Sequence, residues 1–371
     1  MQEQESFRMN DILAYSVADG VEEALVNFTP PVNLGFGVVP APVMFSAEFQ
    51  DGSWGPGQLL PFGPISILPN SRTVQFAESI FEGMKAYRAR PSAPHLFRPL
   101  DNCRRFAASA ARIGMPDVPE WLFLQSISAV ANACAEFIPE QEGAALYVRP
   151  SLFSTEGGYT VANSKAFRYL VLASPSAAYS SGSMRARIER EDVRAARCGV
   201  GNAKTGGNYA AAFRATSRAV HEGFAVALWL DPINRRTIDE FSAMNMFAVI
   251  DGELHTPELT DSILSGVTRD SVLSLAHASG LKVHQRSMPI DELLADITSG
   301  RCTEVIATGT AAIVTSISEL GDADGQLYRL TQTRVSDRLR AELLSIQTRQ
   351  APDPFGWTMD IRANDEARIA E

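Results

Sequence analysis

The order of strand-like and helix-like segments is the feature that most constrains the fold of this chain. Two runs, 100–116 and 120–138, carry apolar residues at helical spacing, and two apolar strand-like runs follow at 144–153 and 167–176. A hairpin pattern with an Asp-Gly turn comes later, at 244–257. Because strands and helices do not alternate regularly, the sequence predicts an α+β fold rather than a doubly wound sheet.

The length of the chain indicates more than one folding unit. Its 371 residues suit two domains of roughly 100–200 residues each. The small and flexible stretch 175–183 is the best candidate for a linker. We therefore predict a smaller N-terminal domain over 1–174 and a larger C-terminal domain over 184–371, and we expect residues 1–28 to form a loosely fixed lead-in.

Charge and cysteine usage argue against several classes of protein. Lys and Arg total 33 against 43 Asp and Glu, a net charge of −10, whereas nucleic acids and anionic membranes attract basic surfaces. The four cysteines, Cys103, Cys134, Cys198 and Cys302, form no CxxC pair, so we expect no zinc site and no disulfide scaffold. The N-terminus lacks a signal-peptide pattern and the longest apolar run is short, so we expect a soluble, cytoplasmic protein without bound metal.

One lysine stands alone in the small-residue stretch GVGNAKTGGNYAAA. Lys204 is the only charged residue between Cys198 and Phe213. A phosphate-binding P-loop needs glycine at two positions that Cys198 and Ala203 occupy here, which argues strongly against that motif. A Schiff-base lysine fits better, because burial lowers the pKa of an amine and no neighbouring carboxylate in this stretch opposes that shift. From these residues alone, an exposed lysine at a strand end is the alternative.

Six blocks along the chain carry a more specific signal. They are FEGMKAYR (81–88), ALYVRPSLFSTE (145–156), AKTGGNY (203–209), IDEFSAMN (238–245), LSGVTRD (264–270) and ATGTAAIV (307–314). With these blocks in order, the chain resembles the branched-chain amino acid aminotransferase family from about Asn33 to about Trp357. The resemblance implies a two-domain fold-type IV architecture like that of D-amino acid aminotransferase, pyridoxal 5'-phosphate as cofactor, and a homodimer.

The resemblance also implies roles in binding the cofactor. Lys204 would bond covalently to the cofactor and act as the catalytic general base, and Glu240 would keep the pyridine nitrogen protonated. The other implied cofactor ligands are Arg105 and Tyr209, with Gly266, Val267, Thr268, Gly309 and Thr310 forming a phosphate cup. From the residues alone, Glu240 is alternatively a surface acid and Arg105 a solvated helix arginine.

A second set of residues is implied to bind substrate. Tyr147 and Arg149 would bind the substrate carboxylate, with an internal salt bridge of Arg149 as the alternative. The remaining pocket residues would be Phe36, Phe76, Tyr159, Tyr179, Ala243, Thr310 and Ala311. Three depart from the family pattern: Phe76 replaces a tyrosine, Ala243 a threonine, and Tyr159 a smaller aliphatic residue on a loop expected from the other subunit. These departures concern the substrate rather than the chemistry.

The function that the resemblance implies is transamination between a branched-chain or similar hydrophobic L-amino acid and 2-oxoglutarate. Three alternatives remain: a specialised aminotransferase of secondary metabolism, a lyase of the aminodeoxychorismate lyase type, and a catalytically silent binding protein. The set of Lys204, Glu240 and Arg105 favours an enzyme, and the LYVRP block favours an amino-acid substrate.

Overall fold

The computed structural model describes residues 15–89, 91–179 and 182–361. In these residues the chain forms two large β-sheets with helices packed around them. The helices are α1 (Val21–Val26), α2 (Arg72–Phe76), α3 (Pro99–Arg112), α4 (Glu120–Ala133), α5 (Gly206–His221), α6 (Val267–Ala278), α7 (Ile290–Ser299) and α8 (Arg334–Gln347), with a 3₁₀ turn at Ala135–Phe137.

The first sheet is built from the N-terminal half of the chain and one late strand. Its strands are β1 (Ser16–Val17), β2 (Val43–Gln50), β3 (Ser53–Trp54), β4 (Gln58–Pro61), β5 (Ser79–Phe81), β6 (Met84–Tyr87), β7 (His95–Phe97), β8 (Ala145–Ser154), β9 (Phe167–Ser176) and β19 (Thr358–Asp360). Their order is β1-β4-β2-β9-β8-β6-β7-β19, with β3 on β2 and β5 on β8. Helices α3 and α4 cover this sheet through a core that includes Phe45, Phe106, Phe123 and Tyr169.

The second sheet holds most of the C-terminal half. Its strands are β10 (Met184–Glu189), β11 (Val226–Leu230), β12 (Ile238–Phe241), β13 (Asn245–Ile250), β14 (Glu253–Pro257), β15 (Val283–Arg286), β16 (Cys302–Gly309), β17 (Ile313–Gly321) and β18 (Leu327–Arg329). Their order is β12-β11-β10-β17-β16-β13-β14-β15, with β18 on β17. The sheet is mixed, since β10 runs parallel to both β11 and β17 while β13, β16 and β17 pair antiparallel.

The predicted α+β class is confirmed. Helix α4 falls inside its predicted run, and α3 begins at Pro99, one residue before its own. Strands β8 and β9 coincide with the predicted strands to within a residue. The domain boundaries stay a prediction, although β9 extends to Ser176 and β19 returns to the first sheet beside β7. Of the predicted lead-in, residues 1–14 lie outside the described residues, whereas Ser16–Val17 pair with β4.

The cysteines are free thiols in this structure. Cys103, Cys134 and Cys302 are buried and Cys198 is exposed. Burial raises the pKa of each of the three buried thiols to about 12, which leaves them protonated and unreactive near neutral pH. Across residues 15–361, apart from the gaps named above, no helix has the length and apolar character that a bilayer-crossing segment needs.

A buried glutamate fixes the start of α8 against the second sheet. Glu304, on β16, is 2% exposed, and its carboxylate accepts the Val335 and Ser336 N–H groups at 2.7 and 2.9 Å. A carboxylate at this position satisfies amides that have no partner within the helix and complements the helix dipole.

We predict that Glu304→Ala destabilises the protein because it leaves two amides at the α8 start without partners. The loss should be about 2 kcal/mol in the free energy of unfolding, measured by urea denaturation. The matched control is Asp337→Ala, since Asp337 lies exposed in the first turn of the same helix. Equal losses from the two substitutions would contradict the assignment of Glu304 as the cap.

Candidate active site

Lys204 lies where the two sheets meet, directly before α5. Its carbonyl accepts the Phe81 N–H at 3.0 Å, and its own N–H donates to the Ser109 hydroxyl at 3.0 Å. The next residue, Thr205, donates its hydroxyl to the Ser79 carbonyl at 2.8 Å. The backbone at Lys204 is thus hydrogen-bonded to β5 of the first sheet and to α3, which covers that sheet. The helix that follows, α5, packs on β11 of the second sheet.

The amine of Lys204 faces aromatic groups. Its Nζ donates to the Tyr209 hydroxyl at 2.9 Å and lies 4.8 Å from the centre of the Phe81 ring. The Phe81 and Tyr209 rings are themselves 4.9 Å apart between centroids. Within the described residues these are the contacts of the amine, and none of them is a carboxylate. Lys204 is therefore half-buried rather than the exposed strand-end lysine considered above.

Glu240 is a buried acid on β12. It is 3% exposed, so it is not the surface acid that the sequence left open. Its carboxylate accepts a hydrogen bond from Asn245 Nδ2 at 2.9 Å. Arg194 Nε lies 3.0 Å from it and forms an ion pair, although the N–H of Arg194 Nε does not point at the carboxylate. Burial raises the pKa of Glu240 to about 7, although the charge of Arg194 and, more weakly, that of Lys204 oppose this.

Arg105, on α3, lies at the start of α6. Its Nε and Nη2 donate to the two oxygens of the fully buried Glu82 at 2.6 and 2.8 Å, and its Nη1 donates to the Ser265 carbonyl at 3.0 Å. The neighbouring Arg104 has a side chain 70% exposed, whereas that of Arg105 is 12% exposed. The solvated-arginine alternative therefore describes Arg104 and not Arg105.

The first turn of α6 offers backbone donors beside this arginine. No side chain caps α6 within the described residues, so the N–H groups of Val267 and Thr268 have no partner inside the helix. At Gly266 an added Cβ would lie 1.9 Å from Asn245 Oδ1, so the close approach needs glycine. Asn245 also bonds Glu240, so one side chain links the helix start to the buried acid. Free amides together with an arginine suit an anionic group.

The turn between β16 and β17 reaches across to the first sheet. Thr310 donates its hydroxyl to the Gly83 carbonyl at 3.1 Å, and Gly309 to Ala311 are half-buried. Ala243 lies behind this turn, because its carbonyl oxygen is 3.3 Å from the place of a Cβ at Gly309. Ala243 has φ +60°, a left-handed conformation that costs a non-glycine residue roughly 1–2 kcal/mol.

Tyr147 and Arg149 project from the same face of β8, two residues apart. Arg149 donates through Nε and Nη2 to the Tyr147 hydroxyl at 3.1 and 2.6 Å, and its guanidinium lies 4.5 Å from the Phe81 ring centre. At Gly83 an added Cβ would lie 2.3 Å from the same hydroxyl, so glycine leaves it room. In the described part of the chain these contacts contain no acid, so the internal salt bridge of Arg149 is not formed.

The predicted pocket residues fall into two groups. Phe36 packs its ring 5.0 Å from Tyr147 and 5.5 Å from Tyr179, which builds an aromatic wall next to the Tyr147–Arg149 pair. Phe76 and Tyr159 lie elsewhere, on the end of α2 and in the loop after β8, with 46% and 78% of their surface exposed. Their part in a pocket stays a prediction.

Five residues of this region received no role from the sequence: Phe81, Glu82, Lys85, Arg194 and Asn245. Three belong to the FEGMKAYR block and one ends IDEFSAMN, so their place in those blocks is the signal that could have found them. Arg194 lies in a run of charged residues that gives no such signal. Lys85 is 3% exposed, with Nζ 3.5 Å from the Gly143 and Ala311 carbonyls, and burial lowers its pKa to about 7.

A separate cluster on β14 and β15 combines Glu253, His255 and His284, whose potential ligand atoms lie within 4.8 Å of one another. Each side chain already has a protein partner. Glu253 accepts from Lys282 at 2.9 Å and lies 2.6 Å from His284 Nε2, and Arg286 Nε donates to His255 Nδ1 at 3.2 Å. A cation would have to displace these contacts, and we assign no metal to this cluster.

Comparison with known proteins gives one consistent result. The family described as amino-transferase class IV matches residues 79–320, more than half of the chain. Branched-chain-amino-acid transaminase 1 of Bacillus subtilis is 36% identical over 343 residues, covering 89% of this chain and 95% of that protein. The branched-chain-amino-acid aminotransferase of Mycolicibacterium smegmatis is 37% identical over 355 residues, covering 91% and 94%.

Solved structures agree with these relatives. The branched-chain aminotransferase of Thermoproteus uzoniensis with norvaline superposes with a TM-score of 0.71 at 25% identity, covering 85% of this chain and 99% of that one. The T.th. branched-chain amino acid aminotransferase with pyridoxamine 5'-phosphate gives 0.69 at 26% identity, covering 90% and 100%.

Glu240 should make the stability of the cofactor-free protein depend on pH. Its pKa is raised from 4.5 to about 7 in the folded state, so the folded state holds the proton more tightly than the unfolded state in that window. The free energy of unfolding should therefore fall as pH rises from 4.5 to about 7. Melting temperatures of wild type and Glu240→Gln across this window check the sign: wild type loses stability relative to the variant. A difference that stays constant with pH would contradict it.

In the cofactor-free protein, Glu82→Gln should be strongly destabilising, because it leaves the Arg105 guanidinium buried without a counter-charge. The expected loss is about 3–5 kcal/mol, seen as a lower melting temperature. Asp251→Asn is the control, because Asp251 pairs with Arg301 at the surface, where the two side chains are 55% and 57% exposed. Breaking such a surface pair should cost less than about 1 kcal/mol. A small effect at Glu82 would show that its pair with Arg105 is dispensable.

Proposed function

The chain belongs to the branched-chain aminotransferase family, whose members are class IV aminotransferases of fold type IV. From this membership we propose the reaction that the protein catalyses. It transfers an amino group between a branched-chain or similarly hydrophobic L-amino acid and 2-oxoglutarate. One observation carries the proposal: the Lys204 amine, which has no carboxylate contact, and the guanidinium of the Tyr147–Arg149 pair lie against the same Phe81 ring, and the charge of Lys204 acts on the buried acid Glu240.

The residues around Lys204 fit pyridoxal 5'-phosphate. Arg105 and the free amides of Val267 and Thr268 would hold its phosphate, because they form a donor set for an anion at a helix start. Glu240 is a buried carboxylate that Arg194 and Asn245 already contact, and it would also accept the N–H of a protonated pyridine ring. When bound, the cofactor supplies a sink for the electron pair left at the substrate α-carbon.

Lys204 has two tasks in this proposal. Its Nζ would hold the cofactor covalently, and as a free amine it would carry a proton to and from the substrate α-carbon as a general base. Tyr209 orients the amine through the 2.9 Å hydrogen bond, and the amine also lies against the Phe81 ring.

The substrate is held by its carboxylate and its side chain. The Tyr147–Arg149 pair and the backbone of the turn at Thr310 and Ala311 would bind the carboxylate, with Arg149 fixed against the Phe81 ring. Next to Tyr147, Phe36 and Tyr179 offer an apolar wall that suits a hydrophobic side chain.

The assembly and location also belong to this proposal. We propose a homodimer in which Tyr159, exposed on its loop, completes the pocket of the other subunit. The cytoplasmic location and the two domains, 1–174 and 184–371, remain predictions. A specialised aminotransferase stays the second candidate, because Ala243 replaces the family's threonine beside the turn at Gly309, which makes the side chain smaller and removes a hydroxyl.

We expect Lys204→Ala to abolish glutamate formation from 2-oxoglutarate and leucine, isoleucine or valine, by at least about 100-fold in kcat. The experiment profiles amino acids with the purified holoenzyme, and borohydride followed by peptide mass analysis should locate the cofactor on Lys204. Lys282→Ala, an exposed lysine of the second sheet, is the control and should retain activity.

Two results would change the proposal. A Lys204→Ala variant that still transaminates would refute the role of this lysine. A wild-type enzyme that carries cofactor on Lys204 but forms no glutamate from any hydrophobic amino acid would indicate a lyase or the specialised aminotransferase instead.

A further inference from the structure

One buried arginine fastens the loop of residues 156–165, which carries Tyr159, to α2. Arg72 is 7% exposed, although it lies in the first turn of a short surface helix. Its Nη1 lies 2.8 Å from Glu156 Oε1 and donates to the Ser164 hydroxyl at 3.1 Å, while its Nε donates to the Thr160 carbonyl at 3.3 Å. A single guanidinium therefore contacts both ends and the middle of the loop.

Further bonds make α2 and the loop one unit. The Arg72 N–H donates to the Glu156 carbonyl at 3.1 Å. On the other side of α2, Glu78 accepts the Ser164 hydroxyl and the Ser164 N–H at 2.5 and 3.3 Å. These bonded polar groups join α2 to the loop.

The same unit also exposes four apolar side chains. Val74 and Phe76 on α2 are 55% and 46% exposed, and Tyr159 and Val161 on the loop are 78% and 87% exposed. These four side chains lie among exposed polar ones, those of Gln75, Asn163 and Lys165, and an apolar patch with polar neighbours is typical of a protein–protein interface. A second copy of this chain is the occupant that fits, because Phe76 and Tyr159 are both candidates for a substrate pocket although each is exposed on its own chain.

We infer that Arg72 is a positioning residue that holds Phe76 and Tyr159 in one fixed arrangement for the substrate pocket of the second subunit. The inference rests on the proposed function. Arginine is suited to this task because its planar fork presents five donors in fixed directions, which the single ammonium of a lysine does not. Its buried position is consistent with such a role, since a buried ion pair adds little net stability and is better suited to fixing one arrangement.

Arg72→Lys tests the inference, because it keeps the charge and removes the fork. In the holoenzyme, KM for a hydrophobic amino acid should rise at least about fivefold while kcat changes less than about twofold. Arg187→Lys is the matched control: Arg187 is 5% exposed, pairs with Glu189 and Glu222, and lies in the second sheet. It should lower the melting temperature without changing KM.

Two further measurements separate positioning from a general loss of structure. Tyr159→Ala should raise KM in the wild type but add little in the Arg72→Lys background, because both act through the same side chain. Chymotrypsin should cut after Tyr159 at least about tenfold faster in Arg72→Lys, since the loop then opens more often. This readout does not depend on activity.

The outcomes are decisive in both directions. Unchanged KM and unchanged cleavage in Arg72→Lys overturn the inference, and so do additive effects of Arg72→Lys and Tyr159→Ala on KM. If the wild-type holoenzyme transaminates no hydrophobic amino acid, the proposed function is wrong and the inference about the substrate pocket falls with it. Faster cleavage of Arg72→Lys in that case would still show that Arg72 holds the loop, so the error would lie in the proposed function.

Discussion

The bond between the Phe81 N–H and the Lys204 carbonyl is the contact on which the rest of the site depends. It joins β5 of the first sheet to the segment that leads into α5, and the Ile80–Thr205 bridge beside it extends the contact. With the backbones joined there, the Phe81 ring faces Lys204, and Arg149 packs on the same ring. One aromatic side chain therefore sets the positions of the proposed reactive amine and of the proposed carboxylate-binding arginine.

Neither buried acid of the proposed site contacts the Lys204 amine. Glu82 and Glu240 are both buried, yet each is paired with an arginine, Arg105 for the first and Arg194 for the second. These pairings leave the amine of Lys204 with a phenol and a ring instead of an acid. Burying a carboxylate without such partners would cost roughly several kcal/mol, so the arginines are what allow two acids this close to an amine.

Two kinds of restraint surround the proposed pocket. On the second sheet, Asn245 bonds Glu240 and also approaches Gly266 so closely that no side chain fits there, which couples the acid to the start of α6. On the first sheet, Arg72 fastens the loop of residues 156–165, on which Tyr159 is exposed. The first restraint acts within the chain, whereas the second has consequences only for an assembly of two chains.

The sequence by itself determined the α+β class, the main helices and strands, and the isolation of Lys204, because these follow from local hydrophobic spacing and composition. The ordered blocks also indicated the family and most of the site residues. Only the tertiary structure decided that Glu82 pairs with Arg105, that Lys85 is buried beside Ala311, and that β19 returns to the first sheet. Each of these joins segments far apart in the chain, and local patterns carry no information about which distant segments meet when the two sheets close on each other.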